Sequence, residues 1–374
     1  MKTPPSPPVS PSARTPADGS SVRIGALVPL TRPGWAEAGR HLLTGLELAV
    51  REVNDTGGIA GRPLELLVRD TAADPHKAAS AVDELAGLGV AALAGEYHSV
   101  VARAAAARAD ALGVPFLCSS AVLDMLTERP TPWVARLAPA QSHGWTIYAD
   151  FLLGAGHTRI AVATEPSVYW ASGTGILRNR LAAHGGSVVE LDMRALTPAA
   201  VCDELVRHRA TALLLLVGHP EPAVSLVASV RRDERLPGIT IGAPAGQPEL
   251  AEWVTRAGDD GAAVPFLRYL PERLSPLGAR VGTVLRDRLG QAPSFVAFEG
   301  YDTVTVLADV LRSQGTDRAR IAAAWPLVDV EGTRGRIRFS RVPGIGVWQW
   351  EWAPVQVVER VRAEPDRFRV LHSG

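Results

Sequence analysis

The residues best placed to do chemistry stand together in GEYHS, residues 95–99, where the apolar run VAALAG (90–95) passes into the Ala/Arg-rich pattern SVVARAAAARADAL (99–112). An apolar run that gives way to helical spacing reads as a buried strand feeding a helix. The first turn of a helix leaves its backbone N–H groups without partners. The hydroxyl of Ser99 therefore has two readings. It is a cap for those groups, or it joins them as a seat for a carboxylate, amide or other oxygen-rich ligand. Tyr97 and His98 stand at the same strand end.

Patterns for covalent or cofactor chemistry are missing. The first strand-to-helix loop lacks G-x-G-x-x-G and the chain has no G-x-x-x-x-G-K-[ST], so no dinucleotide or nucleotide phosphate is expected. There is no H-E-x-x-H, and WASGTG (170–175) does not match the G-x-S-x-G nucleophile elbow. Cys118 and Cys202 lie far apart, without C-x-x-C or Cys/His spacing, which points to neither a disulfide framework nor a zinc site. The chain is expected not to be an enzyme and to hold no cofactor or metal.

These residues need a scaffold. A chain of 374 residues suits two domains of roughly 150 residues each. Lys plus Arg equals Asp plus Glu, 39 each, so no net field favours a polyanion and nucleic acid is not an expected partner. Residues 1–21, MKTPPSPPVSPSARTPADGSS, hold six prolines and read as a disordered, partly polyproline-II tail. They lack the apolar stretch of about 7–15 residues that a secretory signal needs, and no run of about 18 apolar residues suggests a membrane span. The expected location is cytoplasmic, with a periplasmic or extracellular alternative if the true start lies elsewhere.

After the tail, strand and helix patterns alternate. VRIGALVPL (22–30), LELLVRD (64–70), VAALAG and VPFLCSS (114–120) read as buried strands. Between them, Leu42, Leu46, Ala49, Val50 and Val53 share one helical face, and Asp74-Pro75 opens a second helix. A second series follows LAPAQSHGW, with strands RIAVATE (159–165), SVVELDM (187–193), TALLLLVG (211–218) and ITIGAP (239–244). A third region carries a long helix around 295–311, then GRIRFS and GVWQWEW. Continuous apolar strands separated by helices imply parallel sheets covered on both faces. The expected fold is α/β, with two doubly wound parallel-sheet lobes joined by a hinge of several crossing segments. The first lobe is expected to comprise 22–139 plus 266–340, and the second 140–265 plus 341–374. Ligands of such sheets bind beyond the carboxyl ends of the strands, and a crevice between lobes is a favoured pocket.

In combination, RIGALVPLTRPG, LTGLELAVREVNDTGGIAGRPLELLVRDTAADPHKA and AGEYHS resemble the amino-terminal half of the type I periplasmic-binding-protein family, the receptors for branched-chain amino acids, urea and short amides. The likeness extends through Tyr169, HPEP and FEGYDTV to GRIRF, and within the family is nearest to the cytoplasmic amide sensor and to urea receptors. It implies a ligand-binding hydroxyl at Ser99, with Tyr97 as an aromatic pocket residue beside His98. It also implies a polar clamp from Ser119 or Ser120 with backbone at Ala121, while Val122 replaces the usual threonine. Tyr169 matches the tyrosine that closes over the ligand, Trp170 is a candidate apolar wall, and His219 falls on or next to an aromatic contact. Trp35 lies in the loop that places an aromatic over the cleft, although register favours Ala38.

Amino acid receptors of the family carry an acid near Pro244 to hold the ligand ammonium, because a buried cation needs a paired charge. Here the chain reads Ala243-Pro244-Ala245, with Glu299 and Asp302 as the available substitutes. A neutral or anionic small molecule is expected, bound by hinge closure. The resemblance implies an output through a regulatory protein partner or an ABC permease, and allows a homodimer.

Overall fold

The structure is a computed structural model that describes residues 21–32 and 34–374. The expected Pro-rich tail, apart from Ser21, lies outside the described residues.

The first series runs β1 (Val22–Val28), α1 (Ala36–Asp55), β2 (Leu64–Asp70), α2 (Pro75–Gly87), β3 (Ala92–Gly95), α3 (Ser99–Leu112), β4 (Phe116–Cys118) and β5 (Val134–Arg136). These strands pair in parallel in the order β5-β4-β3-β1-β2. The Asp74 signal works as read: its carboxylate accepts the N–H groups of His76 and Lys77 at 2.7 and 3.1 Å, and Pro75 opens α2.

The second series comprises α4 (Gln141–Gly154), β6 (Arg159–Thr164), α5 (Val168–Ala182), β7 (Ser187–Asp192), α6 (Pro198–Arg207), β8 (Ala212–Leu216), α7 (Ala223–Arg232) and β9 (Thr240–Gly242), then α8 (Ala251–Ala257) and β10 (Phe266–Arg268). Its parallel sheet has the order β7-β6-β8-β9. The chain returns through α9 (Pro276–Leu289), α10 (Phe295–Gln314), α11 (Arg318–Ala323), the β11 (Val330–Gly332) and β12 (Gly335–Ile337) hairpin, β13 (Phe339–Arg341) and β14 (Trp348–Trp350). It ends in β15 (Gln356–Val361) and β16 (Glu364–Ser373).

Strand pairing moves two expected lobe boundaries. β14 pairs in parallel with β5, and β13 runs antiparallel at the edge, so residues 341–350 continue the first sheet past the boundary expected at 340. β10 pairs with β15 rather than with the first sheet, and α4 packs against this small antiparallel sheet. Residues 266–268 therefore stand with the second lobe. The first sheet is thus mixed at its β13 edge, and the second lobe adds a separate antiparallel sheet, β10-β15-β16, to its wholly parallel one. The alternation in GVWQWEW marks a strand, but which edge it joins depends on long-range pairing that periodicity does not encode.

The pivot of the first lobe is α10, buried on nearly every face and pressed closely against α1. Glycines permit the approach. A Cβ at Gly45 would stand 1.9 Å from the Ala297 carbonyl oxygen, and one at Gly300 2.3 Å from that of Leu42. Gly45→Ala must force the helices apart, and is expected to destabilise the chain by about 1–3 kcal/mol, the scale of overpacking, measured by denaturant unfolding.

Candidate functional site

The carboxyl ends of the strands of both lobes face one cavity of about 500 Å³. From the first lobe come Trp35, Tyr97, His98, Ser99, Ser120 and Val122; from the second come Glu165, Ser167, Tyr169, Trp170, Gly218 and Ala245. Tyr269 and Phe295, on segments that cross between the lobes, complete the wall with rings 5.0 Å apart at a steep angle.

At the start of α3 the residue in the cap position is His98, and no side chain caps the helix. Ser99 is instead the first helical residue. Its hydroxyl oxygen accepts the backbone N–H of Val122 at 3.2 Å and of Leu123 at 3.3 Å. With both lone pairs engaged, that hydroxyl has only its hydrogen to offer the cavity. The N–H groups of Ser99, Val100 and Val101 have no acceptor among the described residues. The cavity wall here is thus a set of donors.

Buried groups hold this corner. Glu96 Oε1 accepts the N–H groups of Tyr97 and His98, each at 2.9 Å, and Oε2 accepts the Thr71 hydroxyl at 2.7 Å. Burial pushes the Glu96 carboxyl up to about 7, against these hydrogen bonds. His98 Nε2 accepts the Trp35 N–H at 3.1 Å, and burial pushes the imidazole down to about 4. A neutral ring accepting at Nε2 carries its hydrogen on Nδ1. Trp35 is thereby fixed against Tyr97 and His98, with ring centres 5.7 and 6.2 Å away.

Behind the Val122–Leu123 segment lies Arg136, fully buried. Its Nη1 donates to the carbonyls of Val122 and Leu123 at 2.9 and 2.6 Å, and its Nε to Gln349 at 2.7 Å. Nη2 has no partner, and no carboxylate lies within ion-pair distance among the described residues. Ser120 Oγ, on the cavity wall, is also buried without a hydrogen bond of good geometry. The hydroxyls of Tyr97 and Tyr269 have no protein partner among the described residues. Burial raises both phenols well above their usual range, with Tyr169 and Glu299 adding to the effect, so they remain O–H donors.

Several expected contacts do not line the cavity. Ser119 is fully buried, bonded to Thr303 Oγ1 at 2.8 Å and to the Gly95 N–H at 3.1 Å. Ala121 is core. Pro244 is displaced from the wall by its neighbour Ala245. His219 sits behind Trp35, with ring centres 6.1 Å apart, and packs 5.7 Å from Trp253, while the adjacent Gly218 reaches the wall. Glu299 and Asp302 do not supply a cavity charge either. Arg334 binds both, with Nη1 3.1 Å from Glu299 Oε1 and Nε 3.0 Å from Asp302 Oδ2, all three side chains fully buried. Sequence reasoning passed over Tyr269, Phe295 and Glu165. Glu165 closes the apolar strand RIAVAT, a signal of the kind that marked Ser99, whereas no local pattern singles out Tyr269 or Phe295.

Two α/β lobes facing one cavity across several crossing segments define a two-lobed ligand-binding protein. A sequence profile described as "Periplasmic binding protein" matches residues 21–351, and the chain belongs to that family. Leu/Ile/Val-binding protein homolog 8 of Brucella abortus (strain 2308) is 32% identical over 180 residues, 46% of this chain and 44% of that protein. The chain thus spans under half the length of this curated relative. The leucine-binding protein LivK of Thermotoga maritima MSB8 has the same fold, with a TM-score of 0.79 at 22% identity over 93% of this chain and 97% of that one. So does a solute-binding protein of Rhodopseudomonas palustris BisB5 in complex with 3,4-dihydroxybenzoic acid, with a TM-score of 0.78 at 21% identity over 95% and 97%.

Glu96 makes a testable pH dependence. In the folded chain it keeps its proton up to about pH 7, and in the unfolded chain only up to the ordinary value of 4.5. Between these values the folded state binds more protons, so this group's contribution to stability is present below 4.5 and lost as pH rises through about 7. Glu96→Gln keeps the shape and removes the titration. Its melting temperature relative to wild type is expected to rise between about pH 5 and about pH 8; a constant difference would show that the three donors fully offset burial.

Proposed function

We propose that the chain is a solute receptor whose lobes close on a small organic carboxylate without an α-ammonium group, with an aromatic carboxylate as the best fit. The observation that carries this reading is the donor wall: a Ser99 hydroxyl left only its hydrogen to give, next to free N–H groups at the start of α3. Such an arrangement favours an anionic oxygen pair. Arg136, buried behind the same segment without a carboxylate partner, adds positive potential. The Ala243-Pro244-Ala245 segment stands where the resemblance places the acid of amino acid receptors, and the remaining cavity carboxylate, Glu165, holds the Gly218 N–H through Oε2 at 2.7 Å. Trp35, Tyr97, Tyr169, Trp170, Tyr269 and Phe295 offer flat faces and ring edges to an aromatic ring.

The name of the Rhodopseudomonas palustris neighbour, a solute-binding protein of an ABC transporter, supports delivery of the solute to an ABC permease, an output that works from outside the cytoplasmic membrane. The amide-sensor alternative needs instead a cytoplasmic protein partner that distinguishes open from closed lobes. No described helix is long and apolar enough to cross a membrane. Cell fractionation separates the two outputs.

Thermal-shift measurements with benzoate, 4-hydroxybenzoate, acetamide, urea, leucine and isoleucine test the ligand class. A ligand at about 100 times its Kd stabilises by roughly 2.7 kcal/mol, and the expectation is that the benzoates do so and the amino acids do not. Stabilisation by leucine with no response to any carboxylate lacking an ammonium would reject the reading. In calorimetry with the best benzoate, Ser99→Ala is expected to weaken binding by about 1–3 kcal/mol, and the loss of the acceptor for the Val122 and Leu123 N–H groups is expected to lower the ligand-free melting temperature as well.

A further inference from the structure

Lobes that close on a ligand are held closed by every contact they make with each other, including contacts outside the cavity. Beside the aromatic contact of Trp35 with His219 lies a polar one. Glu37, in the first turn of α1, reaches from the first lobe to the second: Oε1 accepts the backbone N–H of Ala251 at 2.8 Å and Oε2 that of Glu252 at 3.0 Å. Oε1 also accepts Gln291 Nε2 at 3.1 Å, and the residue is only 8% exposed. Arg32 crosses the same gap, with Nη2 2.7 Å from Glu252 Oε1 in an ion pair whose side chains are 65% and 25% exposed. Arg32, Glu37 and Glu252 do not line the 500 Å³ cavity. Their bonds therefore form without any contribution from a bound molecule.

We propose that Glu37 is a positioning residue for ligand binding, a latch that holds the second lobe closed through the Ala251 and Glu252 N–H groups, with Arg32–Glu252 as a weaker outer tie. A carboxylate that accepts from backbone on the opposite lobe, with both oxygens and largely shielded from water, makes bonds stronger than neutral ones. The exposed ion pair contributes less. When the lobes part, both N–H groups and the carboxylate return to water, so the latch acts on the open–closed equilibrium and not on folding of either lobe. A receptor biased towards closure in this way needs less from its ligand to complete it, and loses apparent affinity when the latch is cut. The inference rests on lobe closure and not on the carboxylate reading.

Small-angle scattering of the full chain, without ligand, tests it on wild type, Glu37→Gln, Arg32→Ala and the double variant. The expected result is a larger radius of gyration for Glu37→Gln, a smaller increase for Arg32→Ala and the largest for the double variant, at unchanged melting temperature. With benzoate as probe, Glu37→Gln is expected to raise Kd roughly tenfold. Equal radii in all four ligand-free proteins overturn the latch. If Glu37→Gln also melts lower, its larger radius counts only when Arg32→Ala moves the radius the same way at an unchanged melting temperature; without that shift the latch is overturned. If wild type ignores benzoate while the ligand-free radii differ as expected, the carboxylate reading falls and the latch stands.

Discussion

One buried charge cluster holds the lining of the cavity to the frame of the protein. Arg334, in the β11–β12 turn, donates to Glu299 and Asp302 on α10 and to the Tyr269 carbonyl at 3.4 Å, and its guanidinium lies 4.9 Å from the Trp350 ring. Asp302 also receives the N–H and hydroxyl of Thr333 at 2.6 and 2.8 Å. Burial pushes Glu299 up to about 7, with the Arg334 charge opposing. Removing one member of such a cluster leaves a charge in the interior without its partner, a loss of about 3–5 kcal/mol. Because Tyr269 and Phe295 sit at the ends of the segments so tied, the same cluster sets where the aromatic wall stands.

The polar wall has a different origin. Parallel strands end at a common edge, so each following helix begins there and turns its free N–H groups to the cleft. At α3 no side chain among the described residues caps those groups, and what sets it apart is the loop after β4, which occupies the acceptor sites of Ser99. That loop is gripped from both sides, its N–H groups on Ser99 and its carbonyls on Arg136. A donor surface in a cavity is costly unless something accepts from it.

The elements were largely legible in the sequence. Leu42, Leu46, Ala49 and Val53 do form the buried stripe of α1, and β2 runs over 64–70 as its apolar run indicates. The strand end at Gly95 and the helix start at Ser99 fall where an apolar run meets helical spacing. Local pattern also carried Tyr97, His98 and Ser99 to the cavity, because residues that follow a buried parallel strand emerge at the ligand edge.

The sequence by itself determined which segments are strands and helices, since this follows from periodicity within about ten residues; the expected burial holds for the central strands, whereas β2 and β7, at the sheet edges, are only partly buried. Only the tertiary structure decided the partners. It placed β14 beside β5 and β10 beside β15, turned Ser119 and Ala121 inward while Ser120 faced the cavity, put His219 behind Trp35, and spent Glu299 and Asp302 on Arg334. Each outcome depends on groups brought together from distant parts of the chain: Glu299 meets Arg334 across 35 residues, and Ser119 meets Thr303 across 184. Periodicity says which face of an element is buried. What that face meets is set by how the elements pack.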